Sequence, residues 1–129
     1  MPRDPEWPPA IDNPQQTERL LARLPEHVPF AAFVRPALAD IIRQKLPTFD
    51  ASRPYQVAQV NYLGDPGGIM CHLEIPELNG EAFVVSITQL LVGARMPLAR
   101  EIAIYQKHRA KRIRRTDRLA AHEAFDRLP

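Results

Sequence analysis

The stretch 69–75, IMCHLEI, decides the fold of this chain. Apolar side chains occupy every second position from Ile69 to Ile75, and this period of two is typical of a β-strand with one buried face. The intervening residues are mostly polar, so the strand should expose His72 and Glu74 and bury Cys71. As a buried small side chain, Cys71 is expected to be inert as a nucleophile.

Two similar stretches flank this strand, at 55–62 and at 83–87. Turn sequences rich in glycine separate the three stretches, at 64–68 and 78–80. Alternating stretches joined by such turns predict antiparallel hairpins. The sequence therefore predicts a three-stranded antiparallel meander. Matching the apolar faces gives a register, because a slip of one residue would swap them. The predicted cross-strand pairs are Ile75 with Phe83, Cys71 with Ile87, Tyr62 with Cys71, and Val60 with Leu73.

Prolines mark the predicted helices. Asn13 followed by Pro14 is a typical helix start, and the first helix should end before Pro25. The second is expected between Pro36 and Pro47, and the third from residue 97 to about residue 125. The apolar stretch 28–34 is short and contains a proline, so it is predicted to be a buried connection.

These elements predict an α+β fold with the order α-α-β-β-β-α and helices packed on one face of the meander. Five of the first fourteen residues are prolines. Repeated X-Pro steps favour extended backbone, so residues 1–12 are predicted to be a flexible tail. Residues 13–129 are then a single domain, which its length allows.

Composition narrows the classes of function. A single cysteine rules out an internal disulfide and a cysteine-based zinc cluster within one chain. The four histidines are too scattered to suggest a metal site, and no cofactor is expected. The chain has no signal-peptide pattern and no apolar run long enough to span a membrane, so we expect a cytoplasmic protein without a membrane partner.

Charge is distributed unevenly along the chain. The segment 95–118 contains nine basic and two acidic residues, a charge of +7, and the rest contains eight basic and thirteen acidic residues, a charge of −5. At 100° per residue, the last helix should dock through Leu98, Ile102, Tyr105 and Ile113. Arg109 falls within this apolar stripe, which predicts a paired or snorkelling side chain.

The opposite side of the last helix carries five basic residues within about 60° of one another, and they extend over roughly 27 Å. We call them the basic face: Arg100, Lys107, Lys111, Arg114 and Arg118. The preferred interpretation is a non-catalytic binding module that contacts the phosphates of RNA or DNA. Two alternatives remain open: a solvated face without a partner, and contact with an acidic surface of another protein chain, including a second copy of this one.

The outward face of the sheet is a third candidate site. The predicted register brings together His72, Glu74, Asn61 and Ser86, which could bind a small polar ligand or perform acid–base chemistry. The simpler explanation is that one face of an antiparallel sheet is solvated and therefore polar. An enzyme acting through this face is thus the third choice, and no catalytic residue is assigned.

Overall fold

The computed structural model describes the backbone of residues 10–126 and the side chains of residues 10–115. Within this range the α-helices are α1 (Pro14–Arg23), α2 (Pro36–Lys45), α3 (Gly64–Gly67) and α4 (Ala99–Asp126). The strands are β1 (Phe30–Val34), β2 (Tyr55–Tyr62), β3 (Ile69–Glu74), β4 (Phe83–Ser86) and β5 (Leu90–Val92). The fold is therefore α+β with an antiparallel sheet, as predicted, but the number and order of its strands differ from the prediction.

The helix starts follow from local sequence. The side chain of Asn13 accepts a hydrogen bond from the backbone N–H of Gln16 at 3.0 Å, and Pro14 occupies the first turn of α1. A proline also begins α2, at Pro36. Both residues have the fixed φ angle that a first helical turn requires and lack an N–H that would go unpaired there.

The predicted three-stranded meander is only part of a five-stranded sheet with the order β4-β3-β2-β1-β5. The prediction that 28–34 is a buried connection is wrong, because Phe30–Val34 is a strand that pairs with both β2 and β5. Phe30, Ala32 and Val34 are buried while the residues between them are exposed. Pro29 precedes the strand, so it removes no hydrogen bond from the ladder.

The sheet must curl, because its two edge strands are consecutive in the chain. Only the 3₁₀ turn Ile87–Gln89 separates β4 from β5. Four residue steps span at most about 14 Å, whereas the edges of a flat five-stranded sheet lie about 19 Å apart. All neighbouring strands are antiparallel, so β4 and β5 run in the same direction. The chain therefore runs from β4 at one edge of the sheet into β5 at the other edge, and it bends at Ile87–Gln89.

The predicted register is wrong by two residues in both hairpins. The observed pairs are Tyr62 with Ile69, Val60 with Cys71, Cys71 with Val85, and Leu73 with Phe83. Both loops are longer than predicted because each contains a helical turn, α3 in the first and Pro76–Leu78 in the second. A shift of two preserves the faces, so the buried side of β3 is still Ile69, Cys71 and Leu73. A bulge at Ala58 also interrupts β2.

One apolar core lies between the sheet and the helices. α1 contributes Leu20, α2 contributes Ile42 and α4 contributes Ile102 and Tyr105, while Leu98 comes from the turn just before α4. The predicted docking stripe of α4 is therefore confirmed in its first half, and Ile113 further along is only half-buried.

Candidate functional site

A buried ion pair connects α4 to the start of the chain. Nη1 of Arg109 lies 2.8 Å from Oδ1 of Asp12, and the two side chains are only 4% and 2% exposed. The guanidinium also donates to the backbone oxygens of Asp65 at 2.8 Å and Pro66 at 2.7 Å. Of the two predicted alternatives, a paired or a snorkelling side chain, the structure shows a paired one. Each such bond matters because a buried charge without partners is strongly destabilising.

Two tyrosines complete the pairing of Asp12. Its Oδ2 accepts hydrogen bonds from the hydroxyls of Tyr105 at 2.9 Å and Tyr62 at 3.1 Å. The Tyr105 hydroxyl in turn accepts from the backbone N–H of Ile69 at 3.1 Å. Every carboxylate oxygen of Asp12 therefore has a donor. We call Asp12, Tyr62, Tyr105 and Arg109 the buried network; Tyr62 is its one exposed member, at 36%.

The residues next to Asp12 are held by Asp65. The carboxylate of Asp65 accepts from the N–H of Ile11 at 2.9 Å and from that of Asp12 at 2.8 Å. The backbone N–H groups of Ile11 and Asp12, within the predicted tail 1–12, are thus hydrogen-bonded to the turn 64–67. Residues 1–9 of the predicted tail lie outside the described residues.

The core and the buried network should make the protein sensitive to alkali. Burial raises the pKa of the Cys71 thiol from 9.0 to about 12. Burial and the Asp12 carboxylate raise the pKa of Tyr62 from 10.0 to about 12, and burial likewise raises that of Tyr105. Their neutral forms stabilise the fold fully below the unfolded pKa values, and this contribution is lost as pH rises towards the folded values.

We therefore expect the free energy of unfolding to fall steadily between about pH 9 and pH 12. Urea unfolding at half-unit pH steps from 8 to 11 measures this slope. The Tyr62→Phe variant removes one titrating group, so its slope should be shallower even if its stability at pH 8 is lower. Constant stability between pH 8 and 11 would contradict the assignment.

The basic face lies opposite the docked side of α4. Arg100, Lys107, Lys111 and Arg114 are exposed. Within residues 10–115, none of the four takes part in an ion pair or a side-chain hydrogen bond. The side chain of Arg118 lies outside the described residues. Glu101, an acidic residue of α4, pairs with Arg19 and Arg23 of α1 at 3.1 and 3.3 Å, so it does not neutralise the basic face.

The outward sheet face brings together only some of its predicted members. Nδ2 of Asn61 lies 2.8 Å from Nε2 of His72, and Glu74 lies one strand repeat further along β3. His72 and Glu74 line an open groove of about 600 Å³ with Gln59 and Arg53. Ser86 lies opposite Met70 and bonds to Thr88 at 2.8 Å. The amide of Asn61 donates to Nε2 of His72, so the lone pair of this nitrogen is already engaged.

The comparisons with known proteins identify no relative. No protein-family model matches the chain, and no curated protein and no solved structure shows significant similarity to it. Among the described side chains, those of residues 10–115, no group of three or more candidate ligands could hold a metal ion. No helix in the described part of the chain is both long and apolar enough to cross a membrane.

Sequence alone could not identify the partners of Arg109 or the carboxylate that holds the backbone beside Asp12. Arg109 was conspicuous because it interrupts an apolar stripe, but its partner lies 97 residues away along the chain. Asp12 directly precedes a helix cap, where polar residues are ordinary. Asp65 looked like a turn residue, since Asp is common in turns.

Proposed function

We propose that the protein is a non-catalytic binding module that contacts the phosphates of a nucleic acid through its basic face. One observation supports this most strongly. Four described cations, Arg100, Lys107, Lys111 and Arg114, share one side of a helix and have no ion-pair partner in the described part of the chain. Repulsion among such charges costs stability, and a polyanion would relieve it.

The way α4 is attached supports the same proposal. The buried network and the apolar stripe join α4 to the sheet, so its backbone cannot roll about its axis without breaking the ion pair. The four cations are therefore presented in a fixed array, about 21 Å long from Arg100 to Arg114. Such an array could follow several consecutive phosphates of one strand, which are spaced by about 3.4 Å along a duplex axis. Phosphate contacts carry no sequence information by themselves, so binding should depend weakly on base sequence.

Charge-removing variants test the proposal. In the test variant, Lys107, Lys111 and Arg114 are replaced by glutamine; in the control, Arg43, Lys45 and Arg95 are replaced, which removes the same charge elsewhere. Binding to a fluorescein-labelled 20-base-pair duplex is measured by anisotropy at about 0.1 M salt. We expect the test variant to bind on the order of 100-fold more weakly, since three phosphate contacts are lost. Equal loss in both variants would show a nonspecific effect of net charge and reject the basic face as the contact.

Association with an acidic protein surface is the second candidate. The segment 95–118 carries +7 and the remainder −5, so the acidic part of one copy could meet the basic part of another. Phe33 and Leu91 also lie opposite each other on the outward sheet face, 39% and 45% exposed. Sedimentation equilibrium at low and high salt tests self-association, which this candidate predicts at low salt. A monomer at high concentration in both buffers rejects self-association.

A small-ligand or enzymatic site on the outward face is the third candidate. The observation that favours this candidate is the groove beside His72 and Glu74. The contact with Asn61 occupies Nε2 of the histidine. A His72→Gln variant leaves nucleic-acid binding unchanged if the basic face is the interface.

A further inference from the structure

A second basic surface adjoins the basic face. A groove of about 670 Å³ runs between α4 and the connection Ile87–Gln89. Its charged and polar lining comes from two sides: Arg35, Thr88 and Gln89 from the body of the domain, and Arg100, Gln106 and Lys107 from α4. The remaining lining is apolar, and none of the acidic residues among the described side chains borders the groove. Three cations without a local carboxylate make its electrostatic potential positive.

Arg35 is held in place on the wall of this groove. Its backbone N–H donates to the carbonyl of Gln89 at 2.9 Å, and the next residue is the proline that begins α2. The Gln106 side chain donates to the carbonyls of Ile87 and Leu90, both at 2.7 Å. These two bonds orient Oε1 of Gln106 towards Nη2 of Arg35, 3.5 Å away. The Arg35 guanidinium therefore contacts an amide, that of Gln106, which two hydrogen bonds of its own hold in place.

The hydrogen-bonding capacity of this guanidinium is largely unused. A guanidinium has five N–H donors. Within the described residues Arg35 makes a single long contact, and its Nε is buried without a protein acceptor. No carboxylate of residues 10–115 pairs with Arg35, in contrast to Arg19, Arg23, Arg43 and Arg109. An oxyanion that entered the groove would supply the acceptors that the protein does not.

We propose that this groove is a phosphate-binding subsite in which Arg35 is the anchoring residue. A planar guanidinium matches two oxygens of a phosphate, and the cations of Lys107 and Arg100 would neutralise the remaining charge. The hydroxyl of Thr88, on the same side of the groove as Arg35, is a further hydrogen-bonding group. Because Arg100 and Lys107 belong to both surfaces, the groove continues the basic face, and its ligand is a backbone phosphate of the same nucleic acid. This inference rests on the proposed function.

The contributions of the groove and of the basic face to binding are measured separately, with variants that leave the shared residues Arg100 and Lys107 unchanged. A groove variant, Arg35→Gln with Thr88→Val, changes no residue of α4; a face variant, Lys111→Gln with Arg114→Gln, changes no residue of the groove. Both are compared with the wild type and with the control Arg43→Gln with Lys45→Gln, using the labelled 20-base-pair duplex. We expect the groove variant to bind at least about tenfold more weakly, as expected for the loss of charge-assisted hydrogen bonds. Circular dichroism checks folding, and Arg35→Lys replaces Arg35→Gln if the latter unfolds.

The outcomes distinguish the claim that the groove binds phosphate from the claim that the protein binds nucleic acid through its basic face. If only the face variant is weakened, the groove is not a subsite, although the proposed function stands. If the groove variant is weakened, the inference holds whether or not the face variant is also affected. If neither variant differs from the control, both claims fail.

The source of the phosphate is tested by competition. Sodium phosphate and sodium chloride are compared as competitors at equal ionic strength. Stronger displacement by phosphate in the wild type, but not in the groove variant, shows that an isolated phosphate can occupy the groove. Equal displacement, together with weakened binding of the groove variant, assigns the groove to the phosphodiester backbone.

Discussion

Replacing Arg109 with methionine should lower the free energy of unfolding by about 3–5 kcal/mol. The side chain of Asp12 is only 2% exposed, and without Arg109 its charge would remain buried with two tyrosine hydroxyls as its side-chain donors. Two backbone carbonyls of the turn 64–67 would lose their donor as well. At a few degrees per kcal/mol, the melting temperature should fall by about 10–20 °C. Urea unfolding monitored by circular dichroism measures the loss.

A surface ion pair provides the matched control. Arg43 pairs with Asp40 at 3.1 Å, but both side chains are exposed, so Arg43→Met should cost less than about 1 kcal/mol. The double variant Asp12→Leu with Arg109→Met removes both buried charges and should be less destabilised than the sum of the two single variants. A single Arg109→Met variant as stable as Arg43→Met would show that the buried network does not hold α4.

Gly68→Ala is the second substitution with a large expected effect, because two constraints meet at this glycine. Its backbone has φ +74° and ψ −163°, a region that essentially only glycine adopts. A Cβ atom there would lie 2.6 Å from Cζ of Arg109, so the guanidinium would have to leave its partners. We expect a loss of more than about 3 kcal/mol, combining backbone strain with disruption of the buried ion pair.

Gly80→Ala is the control for backbone strain alone. Gly80 also has a positive φ, +88°, but an added Cβ would meet no atom within 4 Å. Its cost should be about 1 kcal/mol. The excess for Gly68→Ala should shrink in an Arg109→Met background, where the clashing group is absent. An equal cost for Gly68→Ala and Gly80→Ala would indicate that Arg109 can move without penalty.

The parts of the fold that local sequence determines were predicted correctly. Asn13 and the prolines at 14 and 36 set the helix starts because capping and a fixed φ act within one turn. The buried face of β3 could be predicted from the alternation of apolar and polar residues alone. Strand β1 was missed because a five-residue apolar stretch after Pro29 has no distinguishing period, and it becomes a strand only between β2 and β5. The register was missed because α3 lengthens the hairpin loop.

The residues of the candidate sites also fall into two groups: those that local sequence predicts and those that only the fold brings together. Exposure of Arg100, Lys107, Lys111 and Arg114 could be predicted because one helical period places them opposite the apolar stripe. Asp12 could not be chosen as the partner of Arg109 among fifteen acidic residues. Arg35 carried no signal at all, since an arginine before a proline is ordinary. Its place in the groove depends on the curl of the sheet, which brings the connection Ile87–Gln89 against α4.

The salt dependence of nucleic-acid binding tests the central claim most directly. The association constant of the wild type for the 20-base-pair duplex is measured between 50 and 200 mM salt and plotted as log K against log salt concentration. If all five residues of the basic face contact phosphates, the slope should be about −4.5, and it should flatten to about −1.8 when Lys107, Lys111 and Arg114 are replaced by glutamine. The same slope in both proteins, or no measurable binding by the wild type at 50 mM salt, would contradict the proposal that the basic face binds nucleic-acid phosphates.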